Sequence, residues 1–379
     1  MRIIIAGGGP AAVEAAITIR QYDQTSSIDL YSAEDVLPYR RPLLPRVLAS
    51  EISSEYLIIY PAEFYAANKI NIHLARPIEK IDPSSQNVFL PDKEVVPYDR
   101  LLLAIGQKSR QLKVSDNVQS KVLSVHDIAN VRKINSLLKN AAEVTVVGGG
   151  ILGLECADAL LKRNFRVNLI EQNSTIINGI LDSNSALFLQ QLLLEYNKNL
   201  TIYPECKLKD ISLQAGGKAA CVLSNPDNKV VYSDLVISAI GLEPHRDWGF
   251  ELNTNHFLQI CKCRNIFGAG DCVTVCGRKN RFYKEARMQG RIAGANIAGQ
   301  SLEYTFPIAE CRSMFNNIPF YCAGVIDPAQ TECLSEYNGK QLKKLFYKLD
   351  RLVGCVLIGN TQDAGDLYTI IQKHRQDLR

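Results

Sequence analysis

A glycine-rich turn between a β-branched strand and a helix occurs twice in this chain, and this repeat restricts the fold more than any other feature. The first turn is Gly7–Ala12 and the second is Gly148–Gly153. After each helix comes a second apolar strand that ends near an acid, Glu34 in the first copy and Glu171 in the second. Strand, glycine turn, helix, strand and acid, in this order, form the βαβ unit that binds a dinucleotide. The sequence therefore predicts two dinucleotide sites.

Each part of the repeat has a physical role. The first glycine makes the tight turn, the second lets the backbone approach a pyrophosphate, and the third position must be small for packing. The helix N-terminus attracts the phosphates, and the acid accepts hydrogen bonds from ribose hydroxyls. The predicted binding residues are Gly7, Gly9, Pro10, Ala11, Ala12 and Glu34 in the first copy, and Gly148, Gly150, Ile151, Leu152, Gly153 and Glu171 in the second. No arginine follows Glu171 closely, so the second site is expected to prefer NADH to NADPH.

Composition narrows the class of protein. The 379 residues allow two or three domains, and 46% hydrophobic with 22% charged residues is typical of a soluble globular protein. A net charge of +4 gives no reason to expect a nucleic-acid partner. No apolar run approaches the length of about 18 residues that spans a bilayer. The first strand begins at Arg2, which leaves no room for a secretory signal, so a cytoplasmic location is expected.

The 11 cysteines follow no metal-binding or disulfide pattern. No CxxC occurs, and the histidines do not lie at zinc-finger spacings from the cysteines. We therefore expect reduced thiols and no metal site. One exception stays open, because Cys272 follows Asp271 directly and a redox role for its thiol is an alternative to an inert one.

Several stretches resemble the flavoprotein pyridine nucleotide-disulfide oxidoreductases, a family that includes glutathione reductase. The resemblance extends strongly over about residues 1–300 and moderately over the remainder. Five stretches carry it: Gly7–Ala12, Pro38–Arg46, Leu102–Gln107, Ser238–His245 and Asn265–Asp271. Two positions depart from the family pattern, since Ile105 replaces the usual Thr and His245 the usual Asn.

The resemblance implies an α/β fold with two Rossmann-like dinucleotide-binding domains and a small α+β C-terminal domain. The FAD domain is then split by an inserted NAD(H) domain. The implied boundaries are 1–108 and 236–305 for the FAD domain, 109–235 for the NAD(H) domain and 306–379 for the C-terminal domain. Within the last, residues 347–360 predict a hairpin around an Asp350–Arg351 turn.

The resemblance also implies roles for single residues. Those implied to bind cofactor are Arg41, Pro42, Ile78, Ala104, Gly106, Gly241, Gly270, Asp271 and Ala286. Arg46 and Glu155 are implied to be catalytic, and we expect an Arg46–Glu155 ion pair beside the flavin. Simpler roles stay open: a solvated Arg46, an exposed Glu155 favoured by the helix dipole, a plain turn at Arg41–Pro42, and ordinary packing for Ile78 and Ala286.

The cysteines separate this chain from the disulfide reductases of the family. Those enzymes carry a Cys-x4-Cys in the first domain or a CxxC in the second, and here no cysteine precedes Cys156. The resemblance is then to NADH:rubredoxin reductases, flavorubredoxin reductases and the flavin portion of large nitrite reductases. It implies that NADH reduces FAD and that FAD reduces an external acceptor. A ferredoxin reductase, a diaphorase component of a larger complex, and a slow-turnover NADH-sensing flavoprotein are the alternatives.

A small electron-carrier protein, rubredoxin-like, is the expected partner, and the chain is expected to be a monomer or homodimer. Rubredoxins are acidic, so exposed basic clusters are candidates for docking. The first cluster is 278–281, and the second comprises Lys340, Lys343, Lys344, Lys348 and Arg351. Solvated charged faces are the alternative interpretation.

Overall fold

The computed structural model describes residues 1–214, 216–224, 228–245, 247–279 and 282–377. Among these residues no helix combines the length and the apolar character that crossing a membrane requires. The helices are α1 Pro10–Tyr22, α2 Leu44–Leu48, α3 Ala62–Ala67, α4 Ile128–Leu137, α5 Ile151–Lys162, α6 Ser183–Tyr196, α7 Tyr283–Ile297 and α8 Ala364–Asp377. Short 3₁₀ turns lie at Arg41–Leu43, Ser54–Leu57, Pro91–Lys93, Gln119–Lys121 and Leu138–Asn140.

The strands are mostly short. In the first third of the chain they are β1 Arg2–Ala6, β2 Ser27–Tyr31, β3 Ile70–His73, β4 Lys80–Asp82, β5 Asn87–Phe89, β6 Val95–Pro97, β7 Arg100–Leu103, β8 Lys108–Ser109 and β9 Val122–Leu123. They continue as β10 Glu143–Val147, β11 Arg166–Ile170, β12 Leu200–Tyr203, β13 Leu208–Leu213, β14 Ala219–Leu223, β15 Val230–Ser233, β16 Leu235–Ser238, β17 Leu242–Glu243 and β18 Asn253–Thr254. The last are β19 Ile266–Gly268, β20 Thr274–Val275, β21 Arg278–Lys279, β22 Glu310–Phe315, β23 Ile318–Gly324, β24 Glu332–Tyr337, β25 Leu342–Lys348 and β26 Arg351–Ile358.

The chain forms two compact units, each assembled from separate stretches of sequence. The first unit contains Met1–Leu43, Ser53–Lys108 and Leu242–Pro307, and the second contains Leu44–Ile52, Ser109–Gly241 and Ile308–Arg379.

The first unit is built on a parallel sheet in the order β19-β7-β1-β2-β3. Its central strand carries Ile3, Ile4 and Ile5, all fully buried, as expected for a strand covered on both faces. The chain runs from β1 to β2 on one side, while β7 lies on the other side of β1. A reversal of strand order leaves a crevice at the carboxyl end of the central strand, where α/β sheets bind ligands.

The second unit repeats this plan with the sheet order β12-β11-β10-β16-β9. Its crevice lies at the carboxyl ends of β10 and β16, which pair in parallel. The predicted α/β class with parallel, Rossmann-like sheets is therefore confirmed. Because β16 belongs to this sheet, the second unit continues to Gly241, beyond the residue 235 at which the sequence suggested its end.

The second unit also contains an antiparallel sheet in the order β22-β23-β26-β25-β24, against which α8 packs. The predicted hairpin is formed by β25 and β26. Its turn is Leu349–Asp350, both with positive φ, rather than Asp350–Arg351. A two-residue turn with both residues in the left-handed region matches the twist of the flanking strands, and this shifts the turn by one position.

Candidate functional site

The first glycine turn packs directly against the end of β7. Gly7 has a φ of +120°, and a Cβ atom there would lie 2.2 Å from the carbonyl oxygen of Ala104. No side chain fits at that distance, so only glycine allows this turn to close against the neighbouring strand. Ala104 is buried, and the close approach of Gly7 to its backbone explains why this position matches the family pattern.

Helix α1 begins at this turn with its first N–H groups open. Gly9 is the N-cap residue and Pro10 occupies the first turn, and no side chain of the described residues caps this end. Helices α4 and α6 differ, because the carboxylates of Asp127 and Asp182 accept hydrogen bonds from their first turns. An uncapped N-terminus beside a glycine turn is suited to bind a pyrophosphate.

Small residues bring the turn close to helix α7. A Cβ on Gly290 would lie 2.3 Å from the carbonyl oxygen of Ala11, so α1 and α7 touch through their backbones. A Cβ on Gly270 would lie 3.3 Å from that of Ala11 and 3.8 Å from that of Ala286. Ala11, Ala12 and Ala286 are all buried. The predicted residues of three separate stretches therefore meet at one point.

The acid after β2 binds two side chains of the following segment. Arg41 donates a hydrogen bond from Nη2 to Oε1 of Glu34, and the hydroxyl of Tyr39 donates to Oε2 at 2.8 Å. The guanidinium of Arg41 lies over the ring of Tyr39, 5.0 Å from its centroid. Two predicted cofactor residues are thus in contact, while Pro42 is exposed in the 3₁₀ turn.

The ends of the neighbouring strands β7 and β19 carry the remaining predicted residues of this unit. Gly106 follows β7 with a φ of +65°, and Gly270 and Asp271 follow β19. The N–H of Gly270 donates a hydrogen bond of 2.8 Å to Oε1 of Gln289, a fully buried side chain of α7. Sequence reasoning missed Gln289, although a lone amide within a small-residue helix was the available signal. Ile78 is buried in the core of this unit.

The second glycine turn repeats this geometry. Gly148 has a φ of +109°, and a Cβ there would lie 2.4 Å from the carbonyl oxygen of Ala239, just beyond β16. A Cβ on Gly153 would lie 1.8 Å from the carbonyl oxygen of Gly148, so the third position must be glycine. Gly150 is the N-cap of α5, again without a side-chain cap among the described residues.

The predicted binding residues around this turn occupy the start of the helix and the end of the sheet. Ile151 and Leu152 form the first turn of α5. Gly241 lies beyond β16 with a φ of +99°. Ile151 and Leu152 therefore lie at the helix N-terminus, where unpaired N–H groups attract an anion.

The carboxylate of Glu171 is buried and fully engaged at the end of β11. Its Oε2 accepts a hydrogen bond of 2.6 Å from the backbone N–H of Gly149. Its Oε1 accepts from the backbone N–H of Asn173 at 2.7 Å and from the side-chain amide of Asn173 at 2.6 Å. The sequence predicted the acid but not Asn173, which fixes the orientation of the carboxylate.

The predicted ion pair between Arg46 and Glu155 is wrong. Arg46 lies in the short helix α2, is exposed, and donates from Nε to Glu51 at 3.0 Å. Glu51 also binds Lys162 at 2.8 Å, so this carboxylate satisfies both cations. Glu155 accepts a hydrogen bond of 3.0 Å from the hydroxyl of Ser313 instead. Arg46 therefore matches the alternative of a largely solvated arginine, whereas Glu155 is half-buried.

Burial changes the acidity of Glu155. It raises the pKa of this carboxyl to about 7, with the charge of Asp158 adding to the rise and the hydrogen bond from Ser313 opposing it. A carboxyl group that titrates near neutral pH is a candidate functional group when it lies close to a ligand site. Glu155 lies in α5, the helix whose N-terminus forms the second glycine turn.

The residues of the two basic clusters differ in their exposure and in their ion pairs. Lys344 is buried and donates to Asp182 at 2.6 Å, so its predicted exposure is wrong. Lys343 is paired with Asp363. In the other cluster Arg278 and Lys279 are exposed, while positions 280 and 281 lie outside the described residues.

Two of the cysteines are neighbours, since Cys311 on β22 pairs with Cys322 on β23 and both are buried. All eleven lie in the described part of the chain, and each is a free thiol. The thiol of Cys272 donates to the carbonyl oxygens of Leu103 and Ala269, each at 3.4 Å, and burial raises its pKa to about 12. A thiol with this pKa is protonated and unreactive at neutral pH, which favours the inert interpretation.

Comparison with known proteins agrees with this geometry. A profile of the pyridine nucleotide-disulphide oxidoreductase family matches residues 1–299. A rubredoxin-NAD(+) reductase of Pseudomonas putida is 29% identical over 322 residues, covering 79% of this chain and 81% of the relative. A second, of Ectopseudomonas oleovorans, is 30% identical over 295 residues, covering 75% and 74%. The crystal structure of NADH:rubredoxin oxidoreductase from Clostridium acetobutylicum has the same fold, with a TM-score of 0.81 at 22% identity, covering 98% of this chain and 95% of that one.

Proposed function

This chain belongs to the pyridine nucleotide-disulphide oxidoreductase family, and we propose that it passes electrons from NADH through FAD to a small electron-carrier protein of the rubredoxin type. It is an oxidoreductase that uses FAD and NAD(H). The two relatives described as rubredoxin-NAD(+) reductases support this class of acceptor.

One observation carries the proposal: each unit presents an uncapped helix N-terminus in a cradle that only glycine can form. In the first unit the cradle is Gly7 against Ala104, and in the second it is Gly148 against Ala239. Two such cradles, each with an acid at the end of the adjacent strand, fit two dinucleotides. A single-cofactor enzyme would need only one.

We assign FAD to the first unit. Its pyrophosphate would be held at the start of α1, and Glu34 is placed to receive ribose hydroxyls in competition with its present partners Arg41 and Tyr39. Asp271, at the end of β19, would hold the more distant part of the cofactor. These residues fit the group because they follow the carboxyl ends of parallel strands of one sheet, the edge at which such sheets bind ligands.

We assign NADH to the second unit. The open N–H groups of α5 would bind its pyrophosphate, and the oriented carboxylate of Glu171 would bind its ribose. A buried carboxylate disfavours a 2′-phosphate through charge repulsion, so NADH is the preferred donor.

The bound cofactors supply the redox chemistry, hydride transfer from nicotinamide to flavin. The chain's own residues bind and orient the two groups. Glu155 would act in the nicotinamide pocket, where an ionised carboxylate accepts a hydrogen bond from an amide and attracts positive charge. Cys311 and Cys322 lie opposite each other on β22 and β23, but burial raises the pKa of both thiols, which disfavours a reactive thiolate. Electrons would therefore leave directly from the flavin.

Anaerobic titration of the purified flavoprotein with NADH tests this function. We expect rapid bleaching of the flavin by NADH and slower bleaching by NADPH. Oxidised rubredoxin, added in excess over the flavin because its single iron accepts one electron and the reduced flavin carries two, should then restore the oxidised flavin, with a ferredoxin as the control acceptor.

Other outcomes distinguish the alternatives. Reoxidation by ferredoxin but not by rubredoxin would identify a ferredoxin reductase or a component of a larger complex. Slow bleaching that leaves a persistent charge-transfer band would identify an NADH-binding flavoprotein with little turnover.

A further inference from the structure

One face of helix α5 carries a row of charged side chains. Glu155, Asp158 and Lys162 lie at positions i, i+3 and i+7, so they share a face of the helix that begins at the second glycine turn. Lys162 binds Asp158 at 3.0 Å. This face is contacted by β22, from the antiparallel sheet of the same unit.

The β22–β23 hairpin is fastened to this face at two points. The hydroxyl of Ser313, in β22, donates to Oε1 of Glu155 at 3.0 Å. The backbone N–H of Asn316, in the turn after β22, donates to Oδ1 of Asp158 at 2.6 Å. Asn316 has a φ of +48° and Asn317 a φ of +61°, the left-handed conformations of a tight two-residue hairpin turn. The two bonds match residues three apart on the hairpin with residues three apart on the helix.

We propose that Ser313 is a positioning residue that holds the carboxylate of Glu155 in one orientation and stabilises its ionised form for the reaction with NADH. The inference rests on the proposed function, which places Glu155 at the nicotinamide. A hydroxyl has one proton to donate, and its donation to a carboxylate favours the ionised state. The orientation is set from outside the nucleotide-binding fold, by a strand that follows it in sequence.

The surroundings of Glu155 make this single bond important. On its own helix it faces the charge of Asp158, which opposes ionisation, and the buried thiol of Cys156. From β22 it faces Cys311, whose pKa burial raises to about 12. On α2, which also packs on α5, Arg46 is bound to Glu51. Both thiols are neutral at pH 7, so among the described residues Ser313 is the neighbour that favours the charged carboxylate, against burial and Asp158.

The pKa of Glu155 itself is the first measurement. Carbon-13 NMR of protein labelled at the glutamate carboxyl carbons gives this pKa directly, and the variant Glu155→Gln identifies the signal. Ser313→Ala should raise the pKa by about one unit, the effect expected for one hydrogen bond to a charged group. Ser313→Thr keeps the hydroxyl and should restore the wild-type value. Asp158→Asn removes a negative charge, still accepts the bond from Asn316, and should lower the pKa.

Flavin reduction by NADH, followed by stopped flow across pH 6–9, is the second measurement. The rate should rise with the ionised fraction of Glu155, and its midpoint should move to higher pH by about one unit in Ser313→Ala. Ser335→Ala, an exposed serine of the same sheet, is the control and should leave both measurements unchanged.

The outcomes separate the inference from the proposed function. An unchanged pKa of Glu155 in a folded Ser313→Ala variant overturns the inference, whatever the activity. A wild-type protein whose flavin NADH does not reduce overturns the proposed function and with it the role of Ser313 in the reaction. A raised pKa with an unshifted rate profile also overturns the inference, because the bond would then be structural only.

Discussion

The backbone N–H of Gly149 donates a hydrogen bond of 2.6 Å to Oε2 of Glu171, so the acid at the end of β11 is fixed to the glycine turn that it serves. A Cβ on Gly149 would lie 2.9 Å from the same oxygen. The close approach therefore depends on the middle glycine of the turn. Asn173 holds the other oxygen with two further bonds, so the carboxylate has one orientation before any ligand binds.

Replacing Glu171 should weaken NADH binding and relax the choice between nucleotides. In Glu171→Ala the KM for NADH should rise about tenfold, the loss expected when a bond to a charged group is removed, and the KM for NADPH should change less. Asn173→Ala should give a smaller rise, because the acid remains but is less fixed. Steady-state kinetics with both nucleotides measures these effects.

The neighbouring residue Gln172 provides the control. It is exposed, and Gln172→Ala should leave both KM values unchanged. If Glu171→Ala keeps the wild-type ratio of the two KM values, this acid does not select NADH.

Alanine substitutions at two glycines of the second turn should lower the stability of the fold by different amounts. In Gly153→Ala the new Cβ would lie 1.8 Å from the carbonyl oxygen of Gly148, so the helix must shift and stability should fall by about 2 kcal/mol or more. A Cβ on Gly150 meets nothing described within 4 Å, so Gly150→Ala should cost less than about 1 kcal/mol. Chemical denaturation measures both values.

Gly150→Ala, which should cost little stability, should nevertheless weaken nucleotide binding. The open space at Gly150 is where the backbone approaches a pyrophosphate, so Gly150→Ala should fold normally and bind NADH weakly. Isothermal calorimetry with NAD⁺, which binds without reducing the flavin, tests this on the folded variant. Normal affinity for NAD⁺ in Gly150→Ala would contradict the assignment of the pyrophosphate to this helix end.

Local sequence signals predicted the parts of the site that are local in the structure. The glycine turns, the helices after them and the acids Glu34 and Glu171 lie within single βαβ units, where spacing along the chain fixes position in space. Their positive φ values and close contacts follow from the same pattern.

Pairings between distant segments were not predictable in this way. The sequence indicated Arg46 and Glu155 as partners. In the structure Arg46 forms its ion pair with Glu51, only five residues further along the chain. Ser313 and Lys344 belong to a sheet whose packing on α5 and α6 no local pattern specifies. The partner of a long, flexible charged side chain depends on which groups the tertiary packing brings within its reach, and a single sequence contains little information about that packing.

The thiol of Cys272, next to Asp271, should react much more slowly than the exposed thiols of the chain. Because burial raises its pKa to about 12, the thiolate is scarce at neutral pH, whereas Cys261, Cys276 and Cys333 are exposed. A disulfide reagent at pH 7.5 should modify the three exposed thiols within minutes and Cys272 only after unfolding. Mass spectrometry of peptides identifies the modified sites, and Cys276→Ser should remove one fast-reacting thiol. Rapid modification of Cys272 with loss of flavin reduction would revive the redox interpretation.

The buried pair of Lys344 and Asp182 should contribute to stability in a pH-dependent way. Burial alone would raise the pKa of Asp182, but hydrogen bonds from Lys344 and Ser185 bring it below its usual value. A lowered pKa means that the folded state binds its proton less readily than the unfolded state. The contribution is therefore present above about pH 4, the value for an unfolded aspartate, and is lost as pH falls further.

Lys344→Met should destabilise the protein by about 3 kcal/mol at pH 7, because it leaves a buried carboxylate without its partner. The difference from wild type should shrink as the pH falls, because without Lys344 burial raises the pKa of Asp182 and the variant takes up this proton at a higher pH than wild type does. Lys343→Met removes a partly exposed pair with Asp363 and should cost less than about 1 kcal/mol. Urea denaturation at pH 7 and pH 3.5 measures both variants. Equal destabilisation by the two substitutions at pH 7 would show that burial gives the Lys344 pair no special weight, since the neighbouring lysines differ mainly in exposure.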